Sequence, residues 1–494
     1  MHHDEAAHTF DSSDASSRLP YSCPQPAKPA PRPERVSLFS YVLRFHKDIL
    51  SAQPARLYRA WMAEFRTPFF RSFLCNDPEL VDRVLSETPE DFPKSTRLFE
   101  GLLPLLGHSI FITNGEEWRR QRRIIDPAFE SGRVREVFPA MWEAAVAAAQ
   151  RLEAIADGRA LDVEPQMSHV ALDVIFRTLF SLPVGDETAQ AVFAAFRVHQ
   201  SSQPMINSAS FLPLPRWVPR LRARATRESA RHIRALIGQL VDRRAAEIAA
   251  GTAPDDLATR IMTTPDPESG SVFSRSEMVD QVGIFLLAGH ETTAAALGWA
   301  LYLLALSPEW QDRVAIEAQR EIDPEKIYFS TVSKLQDARA VFREAMRLYP
   351  PVPMYLREAA CPTRFRSRTV PKGSQVVISP WHLHRHELFW DDPDGFDPSR
   401  WETKAGRASA RIAYLPFSKG ARVCPGSAFA MTEGPLTLAM MMRRFRVSLD
   451  RSNPPVPVAQ LTVRGRDGIR LCFLPREPGP SKDPQKAQPC QAEA

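Results

Sequence analysis

Phe417-Ser-Lys-Gly-Ala-Arg-Val-Cys-Pro-Gly426 closes a proline- and glycine-dense stretch, Asp391 to Gly426, and is followed by Ser427-Ala-Phe-Ala-Met-Thr-Glu-Gly434, which opens a helix. The stretch predicts an irregular loop, and a loop that long inside a compact domain is usually functional. Cys424 stands just before the helix N-terminus, with Gly420 and Gly426 on either side and Arg422 two residues back. Partial positive charge and backbone donors at such a place favour the thiolate, whose obvious use is metal ligation. A lone cysteine is more often a buried structural residue. The pattern FxxGxRxCxG tells against that, because ordinary residue frequencies give on the order of 10⁻⁴ chance matches in a chain of this length.

Outward from this loop, the 494 residues amount to about three ordinary domains, yet no linker interrupts the middle. One large domain or two intimately packed ones are both compatible with that. A hydrophobic fraction of 44%, with nine Trp and 28 Phe, supplies a sizeable core. The net charge of +5 comes from scattered arginines, not from a basic block with interleaved aromatics, which argues against nucleic-acid binding. Six cysteines without a CxxC pair argue against a disulfide framework or a zinc site and for a reducing, cytoplasmic compartment.

The N-terminus lacks the apolar run of a secretory signal, and no transmembrane anchor is expected. The apolar run from Val282 to Leu306 comes nearest, but His290 and Glu291 would then sit at the bilayer centre at high cost. A buried helix crossing the core fits better. Residues 1–35 and 476–494 are polar or proline-rich and are expected to be disordered, leaving one domain over 36–475.

Helical periodicity is clearest over Pro139 to Ala156, Ser168 to Leu182, Thr226 to Ala250, Ser276 to Leu306 and Pro308 to Glu321. Strand-like pieces are short: Ser72 to Cys75, Thr369 to Val370, Gln375 to Ser379, and a pair formed by Leu461 to Val463 with Ile469 to Phe473. The expected class is mainly α with small β sheets (α+β).

The loop around Cys424 resembles the haem-binding loop of the cytochrome P-450 family, the haem-thiolate monooxygenases. The likeness extends from roughly Val36 to Pro475, and soluble bacterial members are the nearest in character. It implies a haem b held between a long distal helix and a proximal loop, with Cys424 as the axial thiolate. It also implies that Gly420 and Gly426 allow a tight turn, that Phe417 packs by the sulfur and that Arg422 pairs with a haem propionate. A thiolate ligand pushes electron density to iron and favours O–O cleavage. Glu344-Ala-Met-Arg347 is a weak motif alone. With Trp390-Asp-Asp-Pro-Asp-Gly-Phe-Asp-Pro-Ser-Arg-Trp401, the resemblance implies a buried Glu344, Arg347, Arg400 cluster that locks the cysteine loop. Trp118 and Arg122, one helical turn apart, and Arg357 are implied propionate partners. For Arg119, Arg120 and Arg123, a solvated helix face and a docking patch for an acidic redox protein are both open.

Ala288-Gly-His-Glu-Thr-Thr293 begins like the zinc motif HExxH, but position 294 is alanine and the second imidazole is missing. It is similar instead to the family's oxygen-binding motif. Ala288 and Gly289 are too small to block a bound diatomic, and a threonine hydroxyl bonding back into the helix opens it locally. The resemblance gives Thr292 the bound oxygen and Glu291 the relay of protons from solvent. His290 is expected to point away from the iron. The substrate pocket would be lined by Leu98 and Phe99 from the apolar roof Leu98 to Phe111, by Ile284, Phe285 and Ala288 from the distal helix, and by Val352 and Met354. A second roof is expected over Met205 to Val218, while Arg97 could hold a carboxylate but reads first as a solvated arginine. These apolar elements suggest a lipophilic substrate such as a fatty acid, terpenoid or carotenoid.

No flavin, nicotinamide or iron–sulfur signature follows Pro475. Electrons from NAD(P)H are therefore expected through a ferredoxin or flavodoxin and its reductase, with O2 as cosubstrate and the enzyme a monomer. A peroxygenase or haem-thiolate isomerase, and a non-enzymatic haem sensor, stand as alternatives to the monooxygenase.

Overall fold

The structure is a computed structural model and describes residues 23–66, 71–202, 224–323, 328–459 and 461–476. Its principal helices are α1 (Leu38–Lys47), α2 (Thr96–Leu106), α3 (Gly115–Ile125), α4 (Ser131–Glu153), α5 (Val163–Phe180), α6 (Glu187–Ser202), α7 (Arg224–Ala249), α8 (Arg275–Leu306), α9 (Pro308–Glu321), α10 (Gln336–Leu348), α11 (Lys404–Ala413) and α12 (Ser427–Arg444). The strands are β1 (Met62–Arg66), β2 (Arg71–Cys75), β3 (Ala160–Asp162), β4 (Tyr355–Glu358), β5 (Thr363–Phe365), β6 (Arg368–Val370), β7 (Gln375–Ile378), β8 (Phe445–Leu449), β9 (Pro457–Ala459), β10 (Val463–Gly465) and β11 (Arg470–Pro475). The class is mainly α with small sheets, as the periodicity predicts.

Helix α8 organises the molecule. It starts in a capping box, where Ser274 accepts from the Glu277 backbone and Glu277 Oε2 accepts from Ser274 N at 2.8 Å. It ends at Ser307, where Pro308 begins α9. Between these ends it is buried on nearly every face, as an all-round apolar helix must be. It crosses the core between α5 and α10, and among the described residues it is the one helix long and apolar enough to cross a membrane. Trp299 fixes its far end, stacked 4.0 Å from Tyr349 and donating to Val463 O at 3.0 Å.

A four-stranded sheet, ordered β1-β2-β7-β4, lies to one side, with β2 and β7 parallel. The Gln-Val-Val-Ile run of β7 is buried throughout, as a strand covered on both faces should be. This sheet carries Tyr355, Leu356 and Arg357 up to the central cavity.

Three expectations are corrected. Leu461 to Val463 does not pair with Ile469 to Phe473: β10 folds back on β9, and β11 lies between β3 and β8. The Arg466-Asp-Gly468 turn resembles a hairpin turn, but Gly468 (φ +79°) redirects the chain so that Leu471 and Phe473 reach the core. The stretch Asp391 to Gly426 is not all loop, since α11 forms within it, rich in Ala and Arg and capped by Thr403, which accepts from Gly406 N at 2.9 Å. Residues 23–34, expected to be disordered, form an extended strap. Phe396 N donates to Pro24 O, Tyr349 Oη donates to Ala27 O at 2.6 Å, and Lys28 pairs with Asp394 at 2.7 Å. Prolines suit such a strap, since they favour extended backbone and leave few N–H groups to satisfy.

Candidate active site

The loop of Cys424 is built from the backbone outward. Gly420 sits at φ +71°, and a Cβ there would lie 2.2 Å from Leu85 O, so only glycine fits. Gly426 has an ordinary φ of −79°, and its Cβ would meet only Cys424 Sγ, at 3.9 Å. The tight turn therefore requires Gly420 and not Gly426. Cys424 N donates to Phe417 O at 2.9 Å, and Ser418 N donates to Tyr355 Oη at 3.0 Å while that hydroxyl donates to Leu415 O at 2.5 Å. Lys419 and Asp82 close the loop with an ion pair.

Burial pushes the Cys424 pKa up, against the opposing pull of the Gly426 N–H aimed at the sulfur and of the Arg122 charge. The Gly426 N–H is the backbone donor expected to favour the thiolate, and a metal bound at the sulfur would complete the ionisation, because ligation deprotonates a thiol.

Behind the loop lies the expected charge cluster. Arg347 grips Glu344 at 2.7 and 3.0 Å, and Arg400 Nε donates to Glu344 Oε1 at 2.9 Å, with Glu344 and Arg347 fully buried. Both guanidiniums donate onward to main-chain carbonyls of Asp391, Pro393 and Gly395. His384 links the cluster to the loop: Arg347 Nη1 donates to its carbonyl, and Leu415 N donates to its Nε2 at 2.8 Å. That acceptor requires a neutral ring, and burial with the Arg347 charge pushes the His384 pKa down to about 3. No sequence motif marks His384.

Cys424, Phe417 and Arg422 face a cavity of about 500 Å³. Of the expected pocket residues, Leu98, Ile284, Phe285, Ala288, Val352 and Met354 line it. Phe99 does not; its ring lies edge-on against His108 at 5.5 Å. Ile175 and Leu179 of α5 line it unforeseen, and Arg97 is buried in its wall, not solvated. The second roof, Met205 to Val218, lies outside the described residues.

One rim of the cavity is cationic. Arg422, Lys94 and Arg122 stand 5.3, 5.6 and 5.9 Å from the Trp118 ring centroid, and Arg357 adjoins them on β4. Arg122 is paired with Asp126 at 2.8 Å, but among the described residues no carboxylate pairs with Lys94, Arg357 or Arg422. Burial first, and then Arg422, pushes the Arg357 pKa down to about 10; burial and the arginines push Lys94 well down. The Nε atoms of Arg357 and Arg422 are buried without partners. Mutually repelling buried cations fit an anionic ligand. A sulfur facing the cavity and a cationic rim fit an iron porphyrin with two propionates. Lys94 gave no signal in the sequence. Arg119, Arg120 and Arg123 stand apart from the rim, paired with Glu90 and Glu116, with Glu277 and with Asp266.

Across the cavity, Thr292 Oγ1 donates to Ala288 O at 2.6 Å, the back-bond expected of it. Gly289 makes room in an unexpected direction: its Cβ would lie 2.4 Å from Ile175 Cδ1, so the glycine lets α8 and α5 approach. His290 bonds Ser168 through Nε2 and is buried away from the cavity. Glu291 also faces away, paired with Arg464 Nη2 at 3.2 Å.

A family model described as Cytochrome P450 matches residues 31–473. The chain is 31% identical to cyclooctat-9-en-7-ol 5-monooxygenase of Streptomyces melanosporofaciens over 85% of its length and 92% of that protein's. It is 31% identical to pentalenene oxygenase of Streptomyces avermitilis, covering 81% and 87%, and 29% identical to human cytochrome P450 4A11, covering 89% and 85%. The crystal structure of the cytochrome P450DA heme domain superposes with a TM-score of 0.76 at 25% identity, over 92% of this chain and 98% of that one.

Proposed function

The chain belongs to the cytochrome P450 family and is a monooxygenase of it, and from that premise we propose that it inserts one atom of O2 into a lipophilic, terpenoid-like substrate by hydroxylation or epoxidation. The observation that carries the reading is one cavity faced by the Cys424 sulfur, by Thr292 and by a buried cationic rim. The substrate class rests on the apolar walls from Leu98, Ile284, Phe285, Val352 and Met354 and on two relatives named for oxidising cyclooctat-9-en-7-ol and pentalenene.

Bound haem b would supply oxygen activation, with Cys424 as its thiolate ligand. Lys94, Arg122, Arg357 and Arg422 would hold its propionates, and Trp118 would orient that rim. Thr292, whose hydroxyl donates to Ala288 O, presents its oxygen to the cavity side of α8, and Glu291 would supply protons there from the solvent side. The apolar walls would orient the substrate and exclude water, which limits side reactions. Electrons would come from NAD(P)H through a ferredoxin or flavodoxin and its reductase. A reducing, cytoplasmic location is part of the proposal, supported by the described cysteines, Cys23, Cys75, Cys361, Cys424 and Cys472, all free thiols.

The test is turnover of a terpenoid hydrocarbon panel under ¹⁸O2 with a ferredoxin and its reductase, against peroxide alone. One labelled oxygen in the product under the first condition is expected. Product only with peroxide marks a peroxygenase, isomerised product without label marks an isomerase, and no turnover across the panel favours a sensor.

A further inference from the structure

We propose that the central cavity has a dry apolar branch that binds small apolar gases and leads O2 to the face of α8 beside Thr292, apart from the opening that admits the substrate. The inference rests on the reading of Cys424 as the ligand of a haem that takes O2. The cavity does not end at the walls assigned to the substrate: beyond Phe285 it is lined by Phe129, Ile175, Thr178, Leu179 and Leu257. These residues trace a groove between α5 and α8. Ile175 packs on α8 at Gly289, where an added Cβ would lie 2.4 Å from Ile175 Cδ1, and Thr178 and Leu179 follow one turn on along α5. Leu257 opens the short helix Leu257–Thr263, and Phe129 faces Phe285 with ring centroids 5.5 Å apart.

The chemistry of these walls suits a gas and not water. A buried water needs several polar partners, and apolar cavities without them stay dry and take up xenon. Among the six residues the Thr178 hydroxyl is the sole polar side-chain group, and it is turned into its own helix, donating to Val174 O at 2.7 Å. Leu179 and Leu257 are buried. The opposite end of the cavity differs: beside α1 and β1 it is bounded by Gln53, Arg56 and Glu64, with the Arg56 side chain more than half exposed, so water and substrate enter there. The outer end of the branch also comes close to solvent. Phe180, Ser181 and Leu182, which follow Leu179, line a second cavity of about 220 Å³ together with Arg243, whose side chain is more than half exposed. The wall between the two cavities is pinned, because Asp256, one residue before Leu257, accepts from Ser181 Oγ at 2.8 Å and pairs with Arg244 at 2.7 Å. With the backbone held, the side chains of Leu179 and Leu257 form the gate. Packed side chains still hop between rotamers, which passes a diatomic and stops a terpenoid.

The test uses the haem-loaded full chain in wild type, L179W, L257W, L179A and V42W, with haem content confirming each fold. Val42 lines the α1 end of the cavity, so V42W narrows the substrate opening. Three quantities are read: anomalous X-ray density in crystals under xenon pressure, the bimolecular rate of carbon monoxide rebinding after flash photolysis, and the association rate of a terpenoid hydrocarbon from the haem spectrum. Xenon is expected beside Ile175, Leu179 and Leu257 in wild type and is expected to be absent there in L179W and L257W. Both tryptophan variants are expected to slow rebinding about tenfold, L179A to quicken it, and V42W to leave it unchanged while slowing terpenoid association. L179A decides the matter if neither tryptophan variant folds. No xenon in the branch of wild type overturns the proposal, as does rebinding at the wild-type rate in L179W and L257W, or in L179A where it alone folds. Rebinding slowed by V42W as much as by L179W also overturns it, since gas and substrate would then share one opening. A wild type that binds no carbon monoxide at its iron overturns the reading beneath the proposal instead.

Discussion

At Gly420 a side chain has nowhere to go, because the φ of +71° and the approach of Leu85 O both forbid it. G420A is therefore expected to destabilise the protein by about 1–3 kcal/mol in thermal melts, while G426A leaves the haem-free protein unchanged. Lys94 poses the opposite case. Its folded pKa lies well below the ordinary lysine value, so between the two the unfolded chain binds the extra proton and stability rises with pH. K94M is expected to stabilise the haem-free protein at neutral pH, to flatten that rise, and to weaken haem retention. A melt of haem-free K94M that is no higher than wild type would remove Lys94 from the repelling cluster. Cys424, with its fixed spacing to Phe417, Gly420, Arg422 and Gly426, could be read from the sequence because its chemistry is local to ten residues. Lys94 could not, since its neighbours Arg357 and Arg422 lie hundreds of residues away.

Among the elements, α8 and α5 meet at Gly289 and Ile175, and G289A is expected to cost about 1–3 kcal/mol, with I175A recovering part of it in the double mutant. Additive losses would mean that the two residues do not share the contact. The cluster of Glu344, Arg347 and Arg400 joins α10 to the chain ahead of the cysteine loop, and E344A leaves two buried guanidiniums without a carboxylate, at about 3–5 kcal/mol. Helices α7, α8 and α9 could be read from the sequence nearly to their ends, because their periodicity holds throughout, whereas α4 and α5 begin at Ser131 and Val163, ahead of the expected Pro139 and Ser168. The hairpin β9–β10, the helix α11 and the strap over 23–34 could not: each is decided by what it packs against. For the strap that is Tyr302, Tyr349 and Asp394, none of which lies near it in sequence. The same holds for Arg464, which reaches Glu291 from a hairpin near the chain's end.

Across the whole molecule, His290, His382 and His384 are buried and neutral, each pushed down to about 3. In the unfolded chain each titrates near the ordinary value of about 6.5. Between these values the unfolded state binds more protons, so stability is full above about pH 6.5 and falls as the pH drops toward 3. Each histidine contributes a slope of at most about 1.4 kcal/mol per pH unit, and denaturant unfolding across this window should show the loss, reduced in H384Q. A flat profile would mean that the rings are charged in the fold. The larger design is a rigid proximal side, locked from Glu344 through His384 to Cys424, facing a buried helix whose Thr292 and Glu291 look to opposite sides. Its central claim is that Cys424 holds haem iron as a thiolate. The most direct test is the reduced carbon monoxide difference spectrum of wild type against C424A and C424H: a strongly red-shifted Soret band in wild type, lost in both variants while haem stays bound, is the expected result, and an unshifted band in wild type or a shifted one in C424A would contradict it.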